Sequence, residues 1–367
     1  MTMRTAVGLM SGTSADGVDV ALIRSDGVWK IEAGAAGTYP YSAGQRDDIC
    51  ACFGRPAATD AAIAAVTEAH RSALAKFLAQ EALDANSVDW VGFHGQTIFH
   101  DPDQATTVQI GDAQALADAT GLPFVSDFRS EDMRQGGQGA PLAPLFHAAL
   151  SCKNLGKCVR PRAVLNLGGV ANVTWIGGQE ESDAVETLPL LAFDVGPASA
   201  LIDDFMSRRT GQMMDWNGQT AAKGTIQHDR VAAWMKDPYF AQAPPKSLDR
   251  NTFLADVEDL SIEDGAATLT AFTVATVKAA LDWMPIAPVE WQVSGGGRRN
   301  GTMMQWMASA LHVPVLPVEA FGWNGDALEA QAFAWLALRV ADGRPTSIPG
   351  TTGVSSPTVG GKLHWPA

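Results

Sequence analysis

The sequence has few cysteines, and this scarcity excludes one class of protein. Four cysteines in 367 residues are too few for the disulfide framework of a small secreted domain. The short spacings between Cys50 and Cys52, and between Cys152 and Cys158, do not match the usual zinc finger or zinc ribbon patterns. We therefore expect reduced, partly buried thiols in a cytosolic protein.

Long apolar runs and positive charge are also scarce. The apolar run within Met1–Met10 is interrupted by Gly8 and is too short for the core of a signal peptide. No run approaches the ~18 residues that span a bilayer. Lysine and arginine number 26 against 40 aspartates and glutamates, a net charge of −14, which argues against a nucleic-acid-binding face. We expect a cytoplasmic protein without nucleic-acid or membrane partners, although a locally basic pocket is compatible with an anionic substrate.

What the chain does contain is an alternation of strand-like and helix-like segments, which predicts an α/β architecture. Its length is too great for one ordinary core, so we expect two domains. Strands at Thr5–Met10 and Val18–Arg24 flank a glycine-rich turn, and the same pattern returns at Ala163–Leu167 and Val170–Ile176. The repeat predicts a duplicated α/β domain with a cleft between the copies.

Three glycine-rich segments have the composition of phosphate-binding turns. Ser11–Asp19 combines glycines with hydroxyl groups, and Asp16 or Asp19 is a candidate magnesium ligand. It is not a Walker loop, because Gly-Lys-Ser/Thr is missing. Gly168-Gly169 forms the second turn, and Gly295–Gly297 leads from a strand into a helix start. Each is also typical of an ordinary tight turn, but three in one chain favour a nucleotide cleft.

Two acidic residues occupy positions where a carboxylate needs an explanation. Asp194 ends an apolar strand, so it is either a general base or the cap of the following helix. Glu329 lies on the apolar stripe of a helix predicted over 326–340. It either faces a polar ligand or favours the positive end of that helix.

A third group of segments is rich in hydrogen-bond donors. The segments 93–100, 127–132 and 136–141 carry amide, imidazole and guanidinium groups suited to sugar hydroxyls and a carboxylate. Arg129 is the natural partner for an anionic substituent. For His94, structural hydrogen bonding at a strand end is the alternative.

Taken together, these segments resemble the motifs of the anhydro-N-acetylmuramic acid kinases. The matches run in order from residue 8 to about residue 340, and their combination is specific although no single motif is. The motifs are Gly8-Leu-Met-Ser-Gly-Thr-Ser-Ala-Asp-Gly-Val-Asp19, His94-Gly-Gln-Thr97, Gln109-Ile-Gly-Asp112, Asp127-Phe-Arg129, Gly136-Gly-Gln-Gly-Ala-Pro141, Asn166-Leu-Gly-Gly169, Phe193-Asp194, Ser294-Gly-Gly-Gly297 and Ala332-Phe-Ala-Trp-Leu336.

The resemblance implies the fold of sugar kinases, actin and Hsp70: two ribonuclease-H-like domains around a nucleotide cleft. We expect the domains to span 1–135 and 136–345, with a tail over 346–367 packed back on the first. The resemblance also implies the reaction, in which 1,6-anhydro-N-acetylmuramic acid is opened by water and phosphorylated on O6 by ATP with Mg²⁺. It further suggests a homodimer.

The resemblance further implies roles for individual residues. Asp194 is the expected catalytic base, and Glu329 belongs to the substrate pocket with His94, Gln96 and Arg129. The residues expected to bind ATP or its phosphates are Gly12, Thr13, Ser14, Ala15, Asp16, Gly17, Val18, Asp19, Gly168, Gly169, Gly295, Gly296 and Gly297.

The sequence departs from the family after the base, where the usual Gly-Pro-Gly-Asn is Gly196-Pro-Ala-Ser199. We expect Ser199 to cap the next helix, and a positive φ at the family glycine would strain Ala198. This departure leaves one alternative open, a kinase of the same fold acting on another amino sugar. A second alternative is an ATP-binding module without phosphotransfer, because actin and the Hsp70 chaperones are built on the same fold.

Overall fold

The computed structural model describes residues 2–12, 14–152, 158–179, 182–248 and 253–367. The chain divides into two compact units. Unit 1 comprises Met1–Lys157, Glu180–Leu188 and Ala327–Ala367, and unit 2 comprises Cys158–Gln179 and Pro189–Asp326. This division differs from the predicted boundaries at 135 and 345, because residues 136–157 and the helix near the C-terminus belong to unit 1.

The elements are numbered along the chain. The strands are β1 (Arg4–Ser11), β2 (Gly17–Ser25), β3 (Ile31–Pro40), β4 (Trp90–Asp101), β5 (Thr106–Ile110), β6 (Phe124–Ser126), β7 (Arg162–Leu167), β8 (Val170–Ile176), β9 (Leu190–Pro197), β10 (Trp291–Ser294), β11 (Val315–Pro317) and β12 (Lys362–His364). The α-helices are α1 (Ala43–Cys50), α2 (Asp60–Gln80), α3 (Ala113–Thr120), α4 (Ser130–Arg134), α5 (Pro144–Ser151), α6 (Ser199–Thr210), α7 (His228–Trp234), α8 (Ile262–Ala279), α9 (Gly301–Leu311), α10 (Leu328–Ala341) and α11 (Pro349–Thr352).

The sheet of unit 1 has the order β3-β2-β1-β4-β6-β12, and β5 pairs with the far half of β4. The first three strands are antiparallel, whereas β4 runs parallel to β1 and β6 runs parallel to β4. The tail contributes β12, which pairs antiparallel with β6. One face of the sheet packs on α2 and α3 through a core that includes Val7, Leu9, Val66 and Phe93.

The other face of this sheet carries α10. Gly8 makes the close approach possible, because a Cβ there would lie 1.7 Å from the carbonyl oxygen of Ala330. This packing explains why α10 belongs to unit 1, although it follows unit 2 in the sequence. Arg339 of α10 is fully buried and pairs with Glu186 at 2.8 Å, so its charge is compensated inside the unit.

The sheet of unit 2 has the order β9-β8-β7-β10-β11. The strands β7, β8 and β9 are antiparallel, whereas β10 is parallel to β7 and β11 is parallel to β10. Its core includes Leu165, Phe193, Phe205, Trp291 and Met303. Gly211, at φ 72°, ends α6 in the left-handed conformation that glycine favours.

The two units therefore repeat one topology. Each has three antiparallel strands in the order 3-2-1, followed by two strands parallel to the first, which is the ribonuclease-H-like arrangement. The expected α/β fold of two such domains is confirmed. In the part of the chain that the structure describes, no helix is both long enough and apolar enough to cross a membrane.

Three elements differ in extent from the sequence-based expectation. From the sequence, the apolar run Trp90–Phe93 predicts a short strand, but β4 continues to Asp101 because its far half pairs with β5. The sequence also predicts a helix over Pro141–Leu150, which begins at Pro144, and the helix predicted from Asp326 begins at Leu328.

Candidate active site

In unit 1, the turn between β1 and β2 forms the first predicted phosphate site. The N–H of Ala15 donates to the carbonyl of Gly12 at 3.1 Å, and Ala15 has φ 47°. The Ser14 hydroxyl donates to Oδ1 of Asp16 at 2.8 Å. The turn is therefore closed by its own backbone, with polar groups on its exposed side. Thr13 lies outside the described residues, and Gly17, Val18 and Asp19 belong to β2.

Gln96 supports this turn through hydrogen bonds of its side chain. Its side chain is fully buried, and its Nε2 donates to the carbonyl of Gly12 at 3.0 Å. Its Oε1 accepts from the hydroxyl of Ser11, which accepts in turn from the Tyr41 hydroxyl. Gln96 is a predicted substrate residue, and these hydrogen bonds connect its amide to the turn.

His94 and Arg129 form a pair beside β4. Nε and Nη2 of Arg129 lie 3.2 and 2.9 Å from Nε2 of His94, and Nη1 donates to the carbonyl of Gly139 at 2.7 Å. Nδ1 of His94 lies 2.8 Å from the carbonyl of Gly95, which assigns the proton to Nδ1. Burial, and then the charge of Arg129, hold the pKa of His94 well below its usual range. A neutral imidazole thus accepts from the guanidinium and orients it.

Two carboxylates lie within each other's electrostatic influence in unit 1. Oδ1 of Asp19 accepts from the Thr38 hydroxyl at 2.6 Å. The residue Glu329 is exposed, yet the pKa of its carboxyl group is raised first by desolvation and then by the charge of Asp19, against the opposing effect of Arg129. Glu329 therefore binds a proton more readily than a free glutamate and suits a hydrogen bond to a sugar hydroxyl.

A resident metal centre is not present among the side chains that the structure describes, since no three acidic, histidine or cysteine groups gather there. Magnesium usually needs only one or two carboxylates, with waters and substrate phosphates completing its shell. Asp16 is exposed on the turn and Asp19 follows it in β2. These oxygen ligands fit an ion that arrives with a nucleotide.

A cavity of about 470 Å³ lies next to His94 in unit 1. Its volume falls within the range of small-molecule sites, roughly 300–1,000 Å³. The lining combines hydroxyl, amide and charged groups with the apolar side chains of Ile63 and Phe93. Such a lining suits a polar ligand with one apolar face.

In unit 2, the structure brings the two predicted glycine segments together. The amides of Ala198 and Ser199, at the start of α6, donate to the carbonyls of Gly169 and Gly168 at 3.0 Å each. A Cβ on Gly295 would lie 2.5 Å from the carbonyl oxygen of Leu167. Gly296 is exposed, whereas Gly297 is buried.

Asp194 lies in β9 of the same unit and is partly exposed. Its Oδ2 accepts from the N–H of Leu248 at 2.7 Å. Its backbone N–H donates to the carbonyl of Lys246 at 3.0 Å, and its carbonyl accepts from the Tyr239 hydroxyl at 2.6 Å. Hydrogen bonds therefore fix both the backbone of Asp194 and one oxygen of its carboxylate, and the residue retains access to solvent, as a general base requires.

Lys246 lies two residues before Leu248, which bonds the carboxylate of Asp194. No sequence pattern singles it out. Its Nζ donates to the carbonyl of Tyr239 at 3.0 Å and lies 4.5 Å from the centre of that ring. Burial lowers the pKa of Lys246 to about 8. The sequence signal was weak, since the segment is a loop whose contact with β9 is not local.

The family departure at residues 198–199 has a simple structural outcome. Ala198 has φ −120°, so no positive φ is needed, and its methyl group is buried in the core of unit 2. The prediction that Ser199 caps α6 is wrong: Ala198 occupies the N-cap, and no side chain bonds there. The carbonyls of Gly168 and Gly169 satisfy these amides instead.

The family model "Anhydro-N-acetylmuramic acid kinase" matches residues 4–366. A curated protein of that name from Rhodospirillum rubrum is 50% identical over 368 residues, covering 99% of this chain and 94% of its own length. Another, from Rhizorhabdus wittichii, is 46% identical over 376 residues and is covered completely, as is this chain. Component A of (R)-2-hydroxyglutaryl-CoA dehydratase from Acidaminococcus fermentans is a structural neighbour at TM-score 0.49 and 11% identity, covering 92% of this chain and 99% of its own. The full-length matches show that this chain belongs to the anhydro-N-acetylmuramic acid kinase family.

Proposed function

We propose that the protein is an ATP-dependent kinase that converts 1,6-anhydro-N-acetylmuramic acid and water to N-acetylmuramic acid 6-phosphate, in the recycling of bacterial cell wall. Family membership supplies the substrate. The observation that carries the chemistry is Asp194, a partly exposed residue of β9 whose carboxylate accepts from the N–H of Leu248 and whose backbone carbonyl accepts from the Tyr239 hydroxyl.

Asp194 acts as the general base. It takes a proton from a water molecule whose oxygen bonds to the anomeric carbon, while the bond from that carbon to O6 breaks. The freed O6 bonds to the γ-phosphorus, and the bond from phosphorus to the bridging oxygen of ADP breaks. The proton leaves Asp194 to solvent after turnover. No separate hydroxyl needs activation, because opening the bridge supplies the nucleophile.

The glycine turns are the proposed phosphate contacts. In unit 1 these are the residues of Gly12–Asp19, and in unit 2 they are Gly168, Gly169 and Gly295–Gly297. Backbone N–H groups there donate to phosphate oxygens without the bulk of a side chain. Asp16 and Asp19 would hold Mg²⁺, which neutralises charge on the transferring phosphoryl group when bound.

The sugar is recognised by unit 1 through charge and hydrogen bonding. Arg129, oriented by neutral His94, binds the carboxylate of the muramic acid. Glu329 bonds a sugar hydroxyl, which suits its raised pKa. Gln96 acts one step away by holding the turn at Gly12. A cytoplasmic homodimer completes the proposal, and analytical ultracentrifugation tests the dimer.

Mass spectrometry of the product tests the reaction. The protein is mixed with Mg-ATP and 1,6-anhydro-N-acetylmuramic acid in water enriched in ¹⁸O. We expect a product heavier by one phosphoryl group and one water, with the label on the sugar carbon and none in the phosphate. Label in the phosphate, or a product that keeps its anhydro bridge, would overturn the coupled mechanism.

Asp194→Asn tests the base. Turnover should fall by roughly 10³-fold, while ATP binding measured by calorimetry should stay near the wild-type value. Asp282→Asn, an exposed acid of the same unit, is the matched control and should retain full activity. Bound ATP with no sugar-dependent turnover in the wild type would favour the non-catalytic module.

A further inference from the structure

The guanidinium of Arg129 depends on a backbone carbonyl for part of its orientation. Nη1 donates to the carbonyl of Gly139 at 2.7 Å, while Nε and Nη2 bond to His94. The imidazole is fixed by its own strand and by Phe333, whose ring centre lies 4.5 Å away. Gly139 has no such support from a strand, because it lies in the loop that follows α4. Whatever fixes that loop also fixes Arg129.

A buried carboxylate fixes the loop. Oδ2 of Asp132 accepts from the N–H of Gly139 at 2.7 Å, and the backbone carbonyl of Asp132 accepts from the N–H of Gly137 at 2.9 Å. The side chain of Asp132 has no exposed surface. An ionised carboxylate in such a place is costly unless hydrogen bonds satisfy it. Its position is therefore tightly constrained by the donors around it.

The second donor comes from the C-terminal tail. The hydroxyl of Thr352 donates to Oδ1 of Asp132 at 2.6 Å, across a separation of 220 residues. The carbonyl of Thr352 accepts from the N–H of Gln138 at 2.7 Å, in the same loop. Thr352 is the last residue of α11 and is fully buried. The tail thus holds both the carboxylate and the loop that the carboxylate binds.

We propose that Asp132 and Thr352 are positioning residues for substrate binding, and that the C-terminal helix α11 sets the affinity for the anionic sugar through Gly139 and Arg129. The inference rests on the proposed function, in which Arg129 binds the carboxylate of the muramic acid. Neither residue touches substrate in this scheme. Hydrogen bonds to a charged group are worth more than neutral ones, so we expect loss of the Thr352 hydroxyl to weaken the hold of Asp132 on the loop.

Thr352→Val removes the hydroxyl and keeps the shape of the side chain. We expect the KM for 1,6-anhydro-N-acetylmuramic acid to rise roughly tenfold, the size of one hydrogen bond to a charged group. The KM for ATP and kcat should change by less than about twofold, since no group at Asp194 or the glycine turns moves. Thr352→Ser, which keeps the hydroxyl, should restore the sugar KM.

Thr351→Val is the matched control. Its hydroxyl is buried in the same helix but bonds only Ile348 among the contacts that the structure records. A general loosening of the tail would raise the sugar KM equally in both valine variants and would overturn the inference. Melting temperatures, measured for each variant, separate folding losses from binding losses.

A double-mutant cycle with Arg129→Met makes the test specific. If Thr352 acts through Arg129, Thr352→Val should add little to the sugar KM once the guanidinium is gone. Fully multiplied effects in the double variant would overturn the inference while leaving the proposed function intact. A wild type that forms no product from this sugar would overturn both, so the two failures are distinguishable.

Discussion

The two units share one strand order but support their hairpins by different means. In unit 1, a buried side chain holds the turn, because Gln96 bonds the carbonyl of Gly12. In unit 2, backbone groups hold the turn, because amides at the start of α6 donate to the carbonyls of Gly168 and Gly169. A side-chain bond is lost by a single substitution, whereas a backbone bond is lost only if the chain is displaced. Different substitutions should therefore damage the two hairpins.

The histidines of the two units differ in how far they are buried. His70, His94 and His147 are buried in unit 1, and His100 is half-buried there. Of the described residues of unit 2, only two are histidines, and both are exposed. A histidine buried as the neutral form makes folding sensitive to acid. Buried imidazoles thus give unit 1 a dependence on pH.

The largest expected effect is a loss of folding stability in unit 1 on mild acidification. Burial lowers the pKa values of His70, His100 and His147 to about 4, against about 6.5 in an unfolded chain. Between these values the unfolded state binds more protons than the folded state. The free energy of unfolding therefore has its full value above about pH 6.5 and falls as the pH drops. From pH 7 to pH 5 the loss is about 2 kcal/mol for each histidine.

Amide hydrogen exchange at pH 7, 6 and 5, corrected for intrinsic rates, measures this difference. Peptides of unit 1 should lose protection while peptides of unit 2 change little. Equal loss in both units, or earlier loss in unit 2, would contradict the assignment of acid sensitivity to the buried imidazoles.

Sequence patterns predicted the parts of this molecule that are determined locally. Both hairpins, and Asp194 in its strand, follow from strand patterning and turn glycines over a few neighbouring residues. The partners of those residues do not, because Leu248 lies 54 residues beyond Asp194, and Thr352 lies 220 beyond Asp132. The position of α10 is also set by a distant contact: the helix follows unit 2 in the sequence, but Gly8 lets it pack on the sheet of unit 1.

Gly295→Ala is the next largest perturbation and addresses unit 2. Gly295 has φ 75°, and a Cβ there would lie 2.4 Å from Oδ1 of Asn166 and 2.5 Å from the carbonyl oxygen of Leu167. Both the backbone conformation and the contact oppose a methyl group, so we expect a loss of about 3 kcal/mol. Urea denaturation monitored by fluorescence measures this loss.

Gly296→Ala is the matched control for that loss. The same substitution one residue later meets no described heavy atom within 4 Å, and Gly296 has no positive φ. Its effect on stability should stay within about 1 kcal/mol and can be favourable, because alanine restricts the unfolded chain. Similar losses in both variants would mean that the turn does not depend on close packing at Gly295.

Gln96→Leu is the smallest of these effects and completes the comparison in unit 1. Leucine fills similar space but leaves the carbonyl of Gly12 and the hydroxyl of Ser11 without the amide. The buried Ser11 hydroxyl then loses its recorded acceptor and the Gly12 carbonyl keeps only the bond from Ala15, so the loss of stability should be about 2 kcal/mol. The KM for ATP should rise because the amide no longer helps to hold the turn. Gln104→Leu, on an exposed side chain, should change neither quantity. If Gln96→Leu lowers stability yet leaves the KM for ATP unchanged, the amide serves the core alone, and the two hairpins differ less in their support than their contacts indicate.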